Sequence, residues 1–117
     1  MALLRTGADV TQALSLRTGI RVVDIADGQL RVNGRAIQFW GVNRHDFDPD
    51  HGWAVPEHRY REDLLAAKRL NMNAIRCAHY PNPQVLYDLC DELGFYVIDE
   101  CDLETHGFIY AGWEGNP

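Results

Sequence analysis

The run Ala74-Ile75-Arg76-Cys77-Ala78-His79-Tyr80-Pro81-Asn82-Pro83-Gln84-Val85-Leu86-Tyr87-Asp88-Leu89-Cys90-Asp91-Glu92-Leu93-Gly94-Phe95-Tyr96-Val97-Ile98-Asp99 decides the fold. Ala74 to Cys77 reads as a short strand. His79 to Pro83 is a tight loop, since proline fixes φ and has no N–H to give a ladder. Asn82 suits the N-cap of a helix, and Pro83 its first turn, where a missing N–H costs nothing. Leu86, Leu89, Cys90 and Leu93 recur at i, i+3, i+4 and i+7, which predicts one apolar helix face. Gly94 ends that helix, because glycine accepts the left-handed conformation found there. Phe95 to Asp99 is mostly apolar, as expected of a strand covered on both faces. Strand, helix and strand in succession make a βαβ unit with parallel strands and a right-handed crossover.

Working toward the N-terminus, the same unit repeats. Tyr60, Leu64 and Ala67, with Leu65 or Leu70, form an apolar stripe at helical spacing, and Pro56 suits that helix's first turn. Gly41 to Trp53 is a loop rich in polar side chains, and Ala36 to Val42 reads as the strand before it. Further back, Ile20 to Ile25 and Leu30 to Val32 alternate as strands do. Asp27-Gly28 and Asn33-Gly34 are hairpin turn signals, so a small meander precedes the first parallel strand. Residues 1–18 carry no clear periodic signal and are taken as a lead or the end of a preceding β domain. Residues 19–38 are the entry segment, and residues 39–117 an α/β domain. Strand, helix, strand, helix, strand belongs to a doubly wound sheet or to a (β/α)8 barrel. The absence of G-x-G-x-x-G after the first strand weighs against the dinucleotide-binding version.

Composition narrows the partners. Hydrophobic residues make up 46% of the 117, enough for a core, and the net charge is −6. With no run of Lys and Arg, neither a nucleic acid nor an anionic membrane surface is an expected partner. No apolar run approaches the roughly 20 residues that span a bilayer. Cys77, Cys90 and Cys101 are an odd count without C-x-x-C spacing, which reads as free thiols in a reducing compartment. The N-terminus lacks the pattern of a secretory signal. A soluble, cytoplasmic chain is expected.

In parallel α/β folds ligands bind where strands end. Asn43, Arg44, His45, Asp46 and Asp48 follow the first strand. Arg76 ends the second, and His79 follows it. Asp99, Glu100, Asp102, Glu104 and His106 follow the third. The opposite rim offers only Asn71, Asn73 and Gly94. This asymmetry points to a polar-ligand site on one rim. Each residue also has a structural reading. Arg44 can pair with Asp46 or Asp48, and Arg76 on a buried strand needs a carboxylate partner that Asp99 or Glu100 can supply. His45 can be a satisfied loop histidine and His79 a turn residue. Glu104 and His106 can lie in an exposed loop or ligate a metal. Trp40 and Trp53 can stack on a sugar, although packing is the plainer reading, and His51 and His58 are expected to be exposed.

Several motifs in register carry a family likeness. Gly41-Val42-Asn43-Arg44-His45, then Arg76-Cys77-Ala78-His79-Tyr80-Pro81, then Asp99-Glu100 and Glu104-Thr105-His106-Gly107 resemble family 2 glycoside hydrolases in order and spacing. Asp27 to Arg35 resembles that family's entry into its catalytic barrel, so the likeness runs from about residue 15 to about 107. Glu-Thr-His-Gly is similar to the β-galactosidase branch rather than the β-glucuronidase branch. Ala78 stands where serine is common, and Phe39-Trp40 where smaller or basic residues are common. The resemblance implies a partial (β/α)8 TIM barrel, its first three strands and two helices, preceded by a short β-meander. It implies a parent enzyme that hydrolyses terminal β-D-galactosides with retention. In such an enzyme one glutamate serves as acid and base and a second, about 5 Å away, as nucleophile. Both are expected beyond Pro117, since a whole barrel takes about 250 residues. By the same resemblance His45 and His79 contact the sugar and Arg76 supports the catalytic carboxylates. Glu104 and His106 bind Mg2+, a partial set for an ion that prefers oxygen ligands. The isolated chain is expected to be inactive and to self-associate or pair with the rest of the barrel. The alternatives are a non-catalytic or complementing module, a family 2 enzyme for β-glucuronides or β-mannosides, and an unrelated metal-dependent hydrolase built on Glu104 and His106.

Overall fold

The computed structural model describes residues 2–6, 9–15, 17–103 and 105. The chain divides into two compact units, Met1–Gln38 and Phe39–Pro117.

In the first unit, β1 (Ala2–Thr6) and β2 (Asp9–Leu14) form an antiparallel pair. The sequence reading found no element there. A register shift between Leu4 and Arg5 interrupts the pairing. The meander follows as β3 (Val23–Ala26), β4 (Gln29–Val32) and β5 (Arg35–Ala36). Both turns form where glycine pairs predict them. Asp27 and Gly28 take φ of 54° and 73°, Asn33 and Gly34 take 51° and 74°, and positive φ at both central positions matches the twist of the flanking strands. The predicted strand over residues 36–42 is two strands in different sheets. β5 ends at Ala36, and β6 (Gly41–Arg44) begins the second unit's sheet.

The second unit is β6, α1 (Glu57–Arg69), β7 (Ala74–Cys77), α2 (Gln84–Leu93) and β8 (Tyr96–Asp99). Its three strands are parallel in the order β6-β7-β8, an open arc. Tyr60, Leu64 and Ala67 of α1 and Leu86, Leu89 and Cys90 of α2 are buried. With Ile75, Cys77 and Phe95 they make the core. Leu65 and Leu70 stay exposed, so the α1 stripe is the narrower one. The end of α1 closes with Asn71 at φ 58°, while Met72 N–H donates to Ala67 C=O and Asn71 N–H to Lys68 C=O. That is the paired closure usually built on glycine. Gly94, at φ 71°, ends α2 as predicted. Lys68 of α1 donates to the Gly94 carbonyl at 3.0 Å and lies over the Phe95 ring, which ties the two helix ends together.

Asn82 does not cap α2. Pro83 holds the cap position without a side-chain bond, and Pro56 does the same for α1. Gly41 sits where β6 meets β7, and a Cβ there would collide with the Ala74 carbonyl, so the parallel pairing itself requires glycine.

Candidate functional site

Side chains alternate between the faces of a strand, and paired positions share a face. Ile75, Cys77 and Val97 pack on the helices, so Val42, Arg44 and Asp99, at the same or paired positions, share that side. Asn43, Arg76 and Ile98 form the alternate row, facing away from the helices. The pleat alone therefore separates the two arginines of the rim.

Arg44 takes a structural role. It is buried and donates to Asp46 at 2.8 Å, to Asp63 of α1 at 3.1 Å and to Asn82 at 3.2 Å, with its guanidinium over the Tyr60 ring. Burial opposes its charge, but the bonds to Asp46 and Asp63 outweigh that and raise its pKa. Tyr60 donates to the other Asp46 oxygen at 2.9 Å; burial and this bond push its hydroxyl up to about 12. The Tyr80 hydroxyl accepts from the Asp46 N–H. One network thus joins the loop after β6, the loop after β7 and helix α1. It is also why Asn82 fails as a cap, since its side chain serves Arg44. Tyr87 completes the support. Its hydroxyl accepts from Asn82 N–H and donates to Asp99, each at 2.7 Å; burial first and Asp99 second push it up to about 12.

On the other face, Arg76 donates through Nε to Glu100 at 2.6 Å. Nδ1 of His79 lies 3.4 Å from Arg76 Nη2 and 3.4 Å from the second Glu100 oxygen. The first contact needs a lone pair on Nδ1 and the second a proton, so this nitrogen can serve either neighbour but not both at once. His45 Nδ1 lies 2.7 Å from the Ala78 carbonyl. A carbonyl only accepts, so Nδ1 carries the proton and Nε2 of the neutral ring keeps its lone pair. The next peptide, Ala78–His79, is cis. The His45 ring stands 6.3 Å from His79, 5.2 Å from Tyr80 and 5.6 Å from Trp53.

The structure therefore gathers His45, His79 and Arg76 at one rim, with Glu100 as the carboxylate joining the last two. Glu104 and His106 lie outside the described residues. Among the described residues no group of three or more His, Cys, Asp or Glu is arranged to hold a metal ion. His51 bonds to Asp48 at 2.8 Å although its side chain is largely exposed, and His58 is exposed. Sequence reasoning passed over Tyr80 and Tyr87, whose hydroxyls have no periodic signature. A hollow of about 420 Å³ lies at the opposite rim, lined by Trp40, Gly41, Leu70, Asn71 and Met72. Its lining holds no titratable side chain.

A family model described as "Glycosyl hydrolases family 2, TIM barrel domain" matches residues 23–114. A protein named beta-galactosidase from Arthrobacter sp. (strain B7) is 52% identical over 110 residues, covering 94% of this chain and 11% of that protein. A beta-galactosidase from Oenococcus oeni is 44% identical over 107 residues, covering 92% and 10%. The solved structure of a β-glucuronidase from Ruminococcus gnavus in complex with D-glucaro 1,5-lactone matches with a TM-score of 0.78 and 30% identity, over 85% of this chain and 17% of that one. The chain spans about a tenth of the length of the curated relatives it matches.

Proposed function

The chain belongs to glycosyl hydrolase family 2, in the TIM-barrel domain, and from this membership we propose that the intact protein hydrolyses terminal non-reducing β-D-galactose residues with retention of configuration. The observation that carries the reading is the rim of His45, His79, Arg76 and Glu100 on the face turned from the helices, in a chain 52% identical to a protein named beta-galactosidase. His45 and His79 contact sugar hydroxyls. His45, with Nδ1 held by Ala78 C=O, accepts a hydrogen bond from a sugar hydroxyl through Nε2. Arg76 and Glu100 hold the pocket wall. The acid–base and nucleophilic glutamates come from later strands, so the three strands described here supply one flank of the pocket.

Magnesium is part of the same reading. Glu104 and His106 would hold it together with a ligand from outside this chain, since one carboxylate and one imidazole make only part of such a site. When bound, the ion would supply a fixed positive charge to the site. The cytoplasm is the proposed location, supported by the free thiols of Cys77, Cys90 and Cys101. No helix among the described residues is long and apolar enough to cross a membrane.

The match to a β-glucuronidase structure favours a second reading, a uronide substrate. Charge on this flank does not favour it: a uronate carboxylate needs a cation, and among the described residues Arg76 is paired with Glu100, while Arg44 faces the helices and is paired with Asp46 and Asp63. The test is hydrolysis of chromogenic β-galactoside, β-glucuronide and β-mannoside by the intact protein, with magnesium and then with chelator. Turnover of the galactoside, lowered by chelator, is expected; a preference for the glucuronide overturns the sugar assignment. The 117-residue chain alone should turn over none of them. With Val42 and Ile98 exposed and β6 and β8 at the sheet edges, it should elute as an oligomer.

A further inference from the structure

The loop between β6 and α1 is closed by a single carboxylate. Asp48 is 1% exposed. It accepts from the N–H groups of Asp50 and His51, both at 3.0 Å, and bonds the His51 ring at 2.8 Å, and it forms an ion pair with Arg59 Nε at 3.2 Å. Asp48 and Gly52 also exchange both backbone hydrogen bonds at 2.8 Å, with Gly52 at a φ of 62°. Side chain, backbone and helix α1 thus all fix one short turn.

Trp53 follows that turn directly. The residue is 68% exposed, yet its ring is braced 5.6 Å from His45 and 5.5 Å from Tyr80. An indole held in place beside a site residue and left open to water offers a flat apolar face. The C–H face of a pyranose is apolar and slightly positive, so it meets the negative face of an indole favourably. Arg76, on the strand itself, is half-buried, whereas Trp53 stands on the loop that follows β6 and is exposed. The strand end suits the sugar whose bond is cut, and the loop suits what leaves.

Resting on the glycosidase reading above, we propose that Trp53 is the platform on which a leaving-group sugar stacks, and that Asp48 is the positioning residue that holds it beside His45. The experiment measures kcat/KM of the intact protein for lactose, a disaccharide, and for methyl β-D-galactoside, whose leaving group cannot stack. Trp53→Ala should lower the preference for lactose over the methyl glycoside about tenfold, equivalent to about 1.4 kcal/mol. Trp53→Phe should restore most of it. Asp48→Asn should lower the same preference about fivefold, and should lower it no further in the Trp53→Ala background, because a residue that acts through another loses its effect when the other is gone. Equal losses on both substrates in Trp53→Ala overturn the platform. An undiminished Asp48→Asn effect in the double variant overturns the positioning role. Should the wild-type protein cleave another glycoside instead, the galactoside reading fails, while the preference between that sugar's disaccharide and methyl glycosides still decides this one.

Discussion

Replacing Arg44 with methionine keeps the length of the stem and removes the charge. Arg44 is 9% exposed and its partner Asp46 6%, so the substitution strands a carboxylate in the interior. Breaking a buried pair by removing one partner costs about 3–5 kcal/mol. Two features place this case at the lower end. Asp46 keeps the Tyr60 hydroxyl at 2.9 Å, and Asp63, with 53% of its side chain exposed, turns to water when Arg44 is gone. About 3 kcal/mol remains, which is on the order of a hundredfold in a local opening equilibrium. The Ala78 N–H donates to the Arg44 carbonyl and Asn82 bonds the guanidinium, so the effect should centre on residues 74–82. Hydrogen exchange of the intact protein, read peptide by peptide in a mass spectrometer, should show those amides exchanging about a hundredfold faster. Arg61→Met is the control. Arg61 pairs with Glu92 at 3.2 Å with both side chains over 40% exposed, so solvent screens the pair and its loss should change exchange little. If the two substitutions change exchange by the same factor, the Arg44 network does not hold the rim together.

Three further predictions test other parts of the structure. Cys101 is exposed, whereas Cys77 and Cys90 are buried; burial first raises both buried thiols, Cys90 to about 11. Iodoacetamide should therefore modify only the Cys101 peptide of these three in the native protein and all three in urea, and native labelling of Cys90 refutes the packing. Gly41→Ala should cost about 3 kcal/mol, read as lost soluble yield and earlier thermal inactivation, because its Cβ meets the Ala74 carbonyl; Gly19→Ala, with nothing within 4 Å, should be silent. The hydrogen bond from His51 lowers the Asp48 carboxyl; burial opposes it and the N–H groups of Asp50 and His51 assist. A carboxyl lowered on folding adds stability that is complete above its unfolded value of about 3.9 and is lost as pH falls through the lower folded value. The stability gap between wild type and Asp48→Asn should thus be widest near neutrality and narrow below about pH 4, and a gap independent of pH refutes the role given to this carboxylate.

What the sequence made legible was local. Tyr60, Leu64 and Ala67, and again Leu86, Leu89 and Cys90, face the core because a helical period is written in the chain itself. Asp27-Gly28 and Asn33-Gly34 turn as read, because positive φ is a property of the two residues concerned. The misreadings share the opposite cause. Asn82 has the chemistry of a cap, but its partner Arg44 lies 38 positions back, and no local pattern shows that a buried guanidinium will claim the side chain. The strand read over residues 36–42 is one apolar run that serves two sheets, and its break is set by where β4 and β7 offer hydrogen bonds. The rim obeys the same division. That polar side chains would follow the strands was legible from strand order. Which arginine faces the site was not, since Arg44 and Arg76 look alike until the pairing of Asn43 with Arg76 sets the pleat. Once it does, their roles follow. The arginine on the helix side finds two carboxylates and a tyrosine and becomes structure, while the one on the open side shares Glu100 with His79 at the rim.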